Sequence, residues 1–96
     1  MSVVSYLRLA PKEEFLQQFR RELDELLEVV RQHKGFVGVE VLRPIGDSPD
    51  YVIVSEWESQ EDFKAYEHSP RHAEIKADYN SRTGNGYTKM RLDRYC

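Results

Sequence analysis

The chain has 96 residues, the length of one small domain, and we predict that residues 1–96 fold as a single unit. It carries 14 basic and 17 acidic residues, a net charge of −3, and no basic stripe of the kind that tracks nucleic-acid phosphates. Its longest apolar runs span only a few residues, so we expect no segment that crosses a membrane.

The amino-terminal segment and the cysteine content bear on the compartment. The first residues, MSVVSYLRLAPKEE, lack the charged leader, the long apolar stretch and the small-residue cleavage site of a secretory signal. The single cysteine, Cys96, cannot form an internal disulfide. Both features predict a cytoplasmic protein.

A strand followed by an amphipathic helix is predicted for the first third of the chain. Alternation predicts the strand at Val3–Leu9, and Pro11 is expected to open the helix because the first helical turn does not need its missing N–H. Gly35, after the basic His33 and Lys34, is expected to end the helix. Apolar residues recur three or four positions apart along it, namely Phe15, Phe19, Leu23, Leu26, Leu27 and Val30.

Three strands and two short helices are predicted for the rest of the chain. The strands are expected at Phe36–Pro44, Tyr51–Trp57 and Tyr87–Tyr95. Ser59 is a candidate N-cap for one helix, and Ser69-Pro70 restarts a second. The resulting order, β-α-β-β-α(α)-β, predicts a ferredoxin-like α+β fold in which helices cover one face of a four-stranded antiparallel sheet.

Strand parity, if no bulge intervenes, divides the strand residues between two faces. The face predicted to meet the helices contains Val3, Ser5, Leu7, Leu9, Val37, Val39, Val41, Tyr51, Ile53, Ser55, Trp57, Met90 and Leu92. The opposite face mixes apolar and charged residues, including Val4, Tyr6, Arg8, Phe36, Glu40, Leu42, Val52, Val54, Glu56, Tyr87, Lys89, Arg91, Asp93 and Tyr95. Since a large apolar face on a soluble domain usually marks an interface, we predict a homodimer through this sheet face, with a half-exposed monomer face as the alternative.

The segment WESQEDFKAYEHSPRH, from Trp57 to His72, carries a recognisable pattern. A strand ends in Trp-Glu-Ser, a Phe follows six residues after the Trp, and Ser-Pro-x-His comes next. Together with HKGFVGVEVLR upstream, this pattern resembles the antibiotic biosynthesis monooxygenase domain family of dimeric α/β-barrel proteins. The resemblance covers essentially the whole chain and implies a homodimer with a pocket between the helices and the sheet of each protomer.

The resemblance also implies candidate site residues. Trp57, Phe63 and Tyr66 would wall a pocket for a flat substrate. The substrate-binding candidates Ser5 and Ser55 interrupt helix-facing apolar rows, where a buried hydroxyl needs a partner such as backbone, water or a substrate oxygen. His72 is the candidate catalytic base, because an imidazole pKa of about 6.5 suits proton transfer at neutral pH. A core role for Trp57 and a position at the pocket rim for His72 are the structural alternatives.

Cofactor chemistry is less favoured by these residues. Haem-degrading relatives use an Asn, a Trp and a His at the positions that hold Ser5, Tyr66 and Lys76 here. A lysine does not replace an axial imidazole. His68 and His72 are four apart, but the helix restarts between them and no third metal ligand is evident. We therefore predict no bound haem, flavin or metal.

The residues and the resemblance together predict a cofactor-independent monooxygenase that acts on a small aromatic or quinol-type substrate. The alternative is a non-catalytic dimeric domain, for example a stress-related one, that binds a small apolar ligand. A haem-degrading monooxygenase is the third possibility. Neither nucleic acid nor a membrane is an expected partner.

Overall fold

The computed structural model describes residues 2–93, so the predictions for Tyr95 and Cys96 fall outside it. The strands are β1 (Val3–Pro11), β2 (Phe36–Leu42), β3 (Tyr51–Trp57) and β4 (Gly84–Asp93). The helices are α1 (Leu16–Arg31), α2 (Gln60–Glu67) and α3 (Pro70–Asp78). A 3-10 turn at Glu13–Phe15 precedes α1, and a π-helical turn at Tyr79–Thr83 follows α3.

The strands form one antiparallel sheet in the order β2-β3-β1-β4. The helices pack on one of its faces, so the predicted ferredoxin-like α+β fold is confirmed. Within the described range, no helix has both the length and the apolar character needed to cross a membrane.

The core between sheet and helices consists of two clusters of buried side chains. The first contains Leu9, Phe19, Leu23, Tyr51, Ile53 and Tyr79. The second contains Val30, Trp57, Phe63 and Tyr66. The apolar stripe of α1 contributes to both clusters, because its buried residues Phe19, Leu23 and Val30 are four and seven positions apart and so lie on a single helix face.

A bulge at the start of β2 changes the faces predicted there. Phe36 lies opposite Trp57 and Gly38 lies opposite Glu56, so Val37 is an extra residue in β2. The ring of Phe36 lies 5.8 Å from that of Trp57, on the helix side of the sheet, whereas Val37 is 51% exposed. The predicted faces of Phe36 and Val37 are therefore wrong, because one extra residue reverses strand parity.

The face prediction for β4 is also wrong. The helix-facing residues of β1 lie opposite Tyr87, Lys89 and Arg91. Met90 and Leu92 lie on the opposite face and are 44% and 43% exposed. The physical reason is an ion pair, because Lys89 and Arg91 both bind Glu67 at the end of α2 and so must face the helices.

Pro11 closes β1 instead of opening a helix. It lies opposite Gly84 after an irregularity in register that follows Leu9, and α1 begins only at Leu16. The N–H of Lys12 then donates to the carbonyl of Thr83 at 2.7 Å. Proline is tolerated here because a strand end or bulge does not require its N–H for the ladder.

Candidate functional site

A cavity of about 110 Å³ lies between the sheet and the helices and is partly open to solvent. Its walls are mostly apolar and belong to both core clusters. Its polar lining includes Ser5, Ser55, Tyr66, His72, Lys76 and Lys89. Engineered cavities of about 150 Å³ bind benzene, so the cavity holds at most one ring unless its walls move.

Ser5 and Ser55 form the floor of the cavity. They lie directly opposite each other on β1 and β3, and they are only 5% and 8% exposed. The Oγ of Ser55 accepts a hydrogen bond from Nε1 of Trp57 at 3.0 Å. The two serines therefore bring a pair of hydroxyls to one point of an otherwise apolar surface.

Trp57 lies behind the cavity wall and not on its surface. It is 0% exposed, and its ring stacks on Tyr66 with a centroid separation of 5.0 Å and an interplanar angle of 27°. Phe36 and Phe63 pack edge-on against it. Its neighbours enclose the indole completely, so Trp57 occupies the core position that was the structural alternative. Phe63 and Tyr66 do line the cavity.

The ring of Tyr66 packs between those of Trp57 and His72. Burial, together with the negative charge of Glu67, raises the pKa of Tyr66 well above its usual value. The phenol therefore stays protonated over the physiological range, and its O–H can donate a hydrogen bond.

His72 reaches the cavity from the first turn of α3. Its ring meets that of Tyr66 edge-on at 4.7 Å, and its buried Nδ1 has no hydrogen-bond partner within residues 2–93. Burial lowers the pKa of His72, whereas the backbone and the negative charge of Glu67 act to raise it, and the positive charges of Lys76 and Lys89 lower it further. The imidazole is therefore neutral at physiological pH and can accept a proton.

The two histidines of the segment between α2 and α3 are separated by the helix break. α2 ends at Glu67 and α3 begins at Pro70, so His68 lies in the connection and is exposed, whereas His72 lines the cavity. No cluster of three or more His, Cys, Asp or Glu side chains suited to a metal ion occurs in the described part of the chain.

Glu67 joins α2 to β4 at one end of the cavity. Nη2 of Arg91 donates to both of its carboxylate oxygens, at 2.8 and 2.9 Å, and Nζ of Lys89 donates to one of them. The Arg91 guanidinium also lies 4.0 Å from the centroid of the Phe63 ring. Burial would raise the pKa of Glu67, but hydrogen bonds from both cations outweigh it and hold the pKa below its usual range.

Four charged residues of the lining were not predicted as site residues, namely Glu22, Glu67, Lys76 and Lys89. Lys76 was considered only as a departure from the haem pattern, and Lys89 was assigned to the other sheet face. A signal for Glu22 exists, because it follows Phe19 by three residues and precedes Leu26 by four, at the edge of the apolar stripe.

Glu22 also contacts the end of α3. Nε2 of Gln18 donates to Glu22 at 2.9 Å and to Asp78 at 2.8 Å. Burial and a hydrogen bond to Asp78 raise the pKa of Glu22, while the same hydrogen bond, together with one from Thr83 and the charge of Arg82, lowers the pKa of Asp78. Of the two carboxyl groups, that of Glu22 is therefore protonated first as the pH falls.

Comparison with known proteins gives a family and a fold. Residues 2–78 match the sequence profile of the antibiotic biosynthesis monooxygenase family. SnoaB, a cofactor-independent oxygenase from Streptomyces nogalater, superposes with a TM-score of 0.86 over 99% of this chain and 94% of its own, at 14% identity. Rv0793 from Mycobacterium tuberculosis superposes with a TM-score of 0.89 over 100% and 97%, at 16% identity. Identities this low establish the shared fold alone.

A local sequence match connects the chain to haem oxygenases. Mycobilin-producing haem oxygenases of Mycobacterium tuberculosis, from strains CDC 1551 and H37Rv, are 39% identical over 41 residues. The match covers 43% of this chain and only 39% of those proteins, so it spans well under half of each.

Haem does not fit the cavity described above. The cavity measures about 110 Å³, against roughly 300–1,000 Å³ for pockets of drug-sized ligands, and a haem is larger than such a ligand. The lining also includes a lysine, Lys76, whose ammonium group has no lone pair for iron. The ring of His72 is packed edge-on against Tyr66, which fills the space beside it.

Proposed function

This chain belongs to the antibiotic biosynthesis monooxygenase family, and from that premise we propose that it is a cofactor-independent monooxygenase of a small quinol or phenol. The observation that carries the proposal is an imidazole that lines an apolar cavity: the buried Nδ1 of His72 lacks a hydrogen-bond partner within residues 2–93. Such a group can take the proton of a phenol bound beside it.

The reaction needs only the substrate and O₂. His72 accepts the phenolic proton, and the electron-rich anion then transfers electrons directly to O₂. One oxygen atom enters the ring and the other leaves as water, so a quinol and O₂ give a hydroxyquinone and water. All four electrons come from the substrate, and the two hydrogens lost from it appear in the water.

The remaining polar side chains position the substrate. The protonated Tyr66 donates a hydrogen bond to a substrate oxygen, and Ser5 and Ser55 offer hydroxyls at the cavity floor. Phe63 contributes an apolar wall. The cavity of about 110 Å³ favours a substrate with one ring over polycyclic compounds.

We also propose that the protein forms a homodimer through its exposed sheet face. On the sheet face opposite the helices, Leu42, Met90 and Leu92 are 45%, 44% and 43% exposed. Tyr6 of the same face lies between Val54 on β3 and Met90 on β4. A contiguous apolar patch on a small domain is stabilised when a second copy covers it, and the family resemblance supports the same surface.

A cytoplasmic location belongs to the proposal as well. The sequence holds one cysteine, a usage that suits a reducing compartment. Fractionation of cells that express the tagged chain would check this location.

The test of the activity is oxygen consumption across a panel of single-ring quinols and phenols, with a chelator present and no cofactor added. We expect uptake with at least one quinol, and isotope-labelled O₂ should deliver one labelled atom to the product and one to water. Oxidation without label in the product would identify an oxidase. Tight binding of the panel without uptake would favour the non-catalytic ligand-binding domain.

A further inference from the structure

At one end of the cavity, the cluster of Glu67, Lys89 and Arg91 carries more positive than negative charge. The carboxylate of Glu67 forms salt bridges with both Lys89 and Arg91, so these three side chains together carry a net charge of +1. Glu67 remains ionised because both cations hydrogen-bond to it. One positive charge of this cluster is therefore left without a compensating negative charge.

Lys76 adds a second positive charge to the cavity lining, in which the other carboxyl group, that of Glu22, is hydrogen-bonded to Asp78. Lys76 lies one helical turn after His72 on α3, and both side chains line the cavity. Within residues 2–93 its side chain forms no hydrogen bond or salt bridge, whereas the nearby Asp78 is bound by Arg82. A partly buried charge is stabilised by an opposite charge, and the described residues do not supply one to Lys76.

We propose that the ligand of this cavity is an anion, a single-ring organic acid whose carboxylate binds Lys76 while its ring occupies the apolar interior. The inference rests on the proposed function, since it concerns the same cavity, and it names the class of substrate. The ring would contact the apolar walls and the two floor serines, and the carboxylate would remain at the partly open mouth.

The charge at this position is local. The whole chain carries a net charge of −3, so long-range attraction does not favour anions over neutral molecules. A preference for an acid over its neutral isostere must therefore come from groups at the site. Lys76 is the cavity-lining cation that lacks an ion-pair partner among the described residues, whereas Lys89 is bound by Glu67.

The test is anaerobic titration calorimetry with 2,5-dihydroxybenzoate and its neutral isostere 2,5-dihydroxybenzamide. We expect the acid to bind about tenfold or more tightly, the range for one charge-assisted hydrogen bond. Lys76→Gln should abolish the difference, and Lys76→Arg should retain most of it because the charge is kept. Lys64→Gln is the matched control, since Lys64 is exposed on α2 and does not line the cavity.

Equal affinities for acid and amide would overturn the inference, as would failure of the acid to bind at millimolar concentration. A selectivity that survives Lys76→Gln, or falls equally with Lys64→Gln, would do the same. Because O₂ is absent, the result is independent of turnover. An acid preference without oxygen uptake would refute the monooxygenase proposal alone, and uptake without an acid preference would refute this inference alone.

Discussion

Nε1 of Trp57 donates a hydrogen bond to Oγ of Ser55, two residues earlier on the same strand, at 3.0 Å. The bond satisfies a fully buried indole and leaves the hydroxyl proton of Ser55 available to the cavity. Trp57 thus acts on the site through Ser55 and through Tyr66, on which it stacks. It holds two cavity-lining groups in place without touching the cavity.

Replacing Trp57 with Phe should therefore lower stability. The change removes buried volume and the donor to Ser55, and we expect a loss of about 1–3 kcal/mol in the free energy of unfolding. Urea unfolding measures it. Tyr87→Phe is the control, because Tyr87 is 44% exposed and should change stability by less than about 0.5 kcal/mol. Equal effects of the two substitutions would contradict the enclosed position of Trp57.

Glu67→Gln should destabilise the contact between α2 and β4. It leaves Lys89 and Arg91 without their shared carboxylate, and we expect a loss of about 1–3 kcal/mol. Glu28→Gln is the control, since Glu28 is 72% exposed and forms only a surface pair with Arg31, worth about 1 kcal/mol or less.

The same substitution should change the acid dependence of stability. The folded-state pKa of Glu67 lies below its unfolded value, so its contribution is present above the unfolded pKa and disappears as pH falls through the folded pKa. Thermal unfolding between neutral pH and strongly acidic pH should show a shallower loss in Glu67→Gln than in the wild type. Parallel pH curves would argue against this ion pair.

Gly35→Ala should disturb the start of α2. Gly35 has a φ of +83°, and a Cβ there would lie 2.3 Å from Oδ2 of Asp62, which is bonded to the N-cap Ser59. Gly46 has a φ of +74° but open space around it, so Gly46→Ala measures the backbone strain alone. We expect Gly35→Ala to cost at least about 1 kcal/mol more than Gly46→Ala in chemical unfolding. Equal costs would mean that Asp62 moves aside freely.

Val54→Lys should weaken self-association. Val54 lies opposite Tyr6 in the sheet, and burying an unpaired ammonium at a dimer interface is unfavourable. Sedimentation at micromolar concentration should give about twice 11.4 kDa for the wild type and a lower average mass for the variant. Ala77→Lys, on the exposed side of α3, should leave the mass unchanged. A monomeric wild type would refute the dimer.

The sequence predicts the order of elements well because each element carries its own local signal. The stripe of α1, the Ser59 cap and the proline that restarts α3 act within a few residues and need no tertiary context. The faces of β2 and β4 depend instead on distant partners. One extra residue at Val37 and the charge of Glu67 reverse what alternation alone predicts.

The candidate site is predictable only in part for the same reason. Ser5, Ser55, Phe63, Tyr66 and His72 reach one cavity, because parity on two strands and spacing on two helices place them there. Lys76 and Lys89 were not predicted to line the cavity, because the sequence pattern does not distinguish a lysine at a binding site from one on the surface. Whether the five residues act on a substrate remains a prediction.

The most direct test is the pH dependence of kcat/KM for oxygen consumption in the wild type, His72→Ala and the control His68→Ala. As the pH falls past the ordinary histidine pKa of about 6.5, the wild-type kcat/KM should stay constant, because burial lowers the pKa of His72. It should decrease only in more acidic solution. His72→Ala should lose about 10²-fold or more and lack this acid limb, while His68→Ala behaves as wild type. Full activity in His72→Ala, or an unchanged acid limb, would contradict the role of His72 as the base.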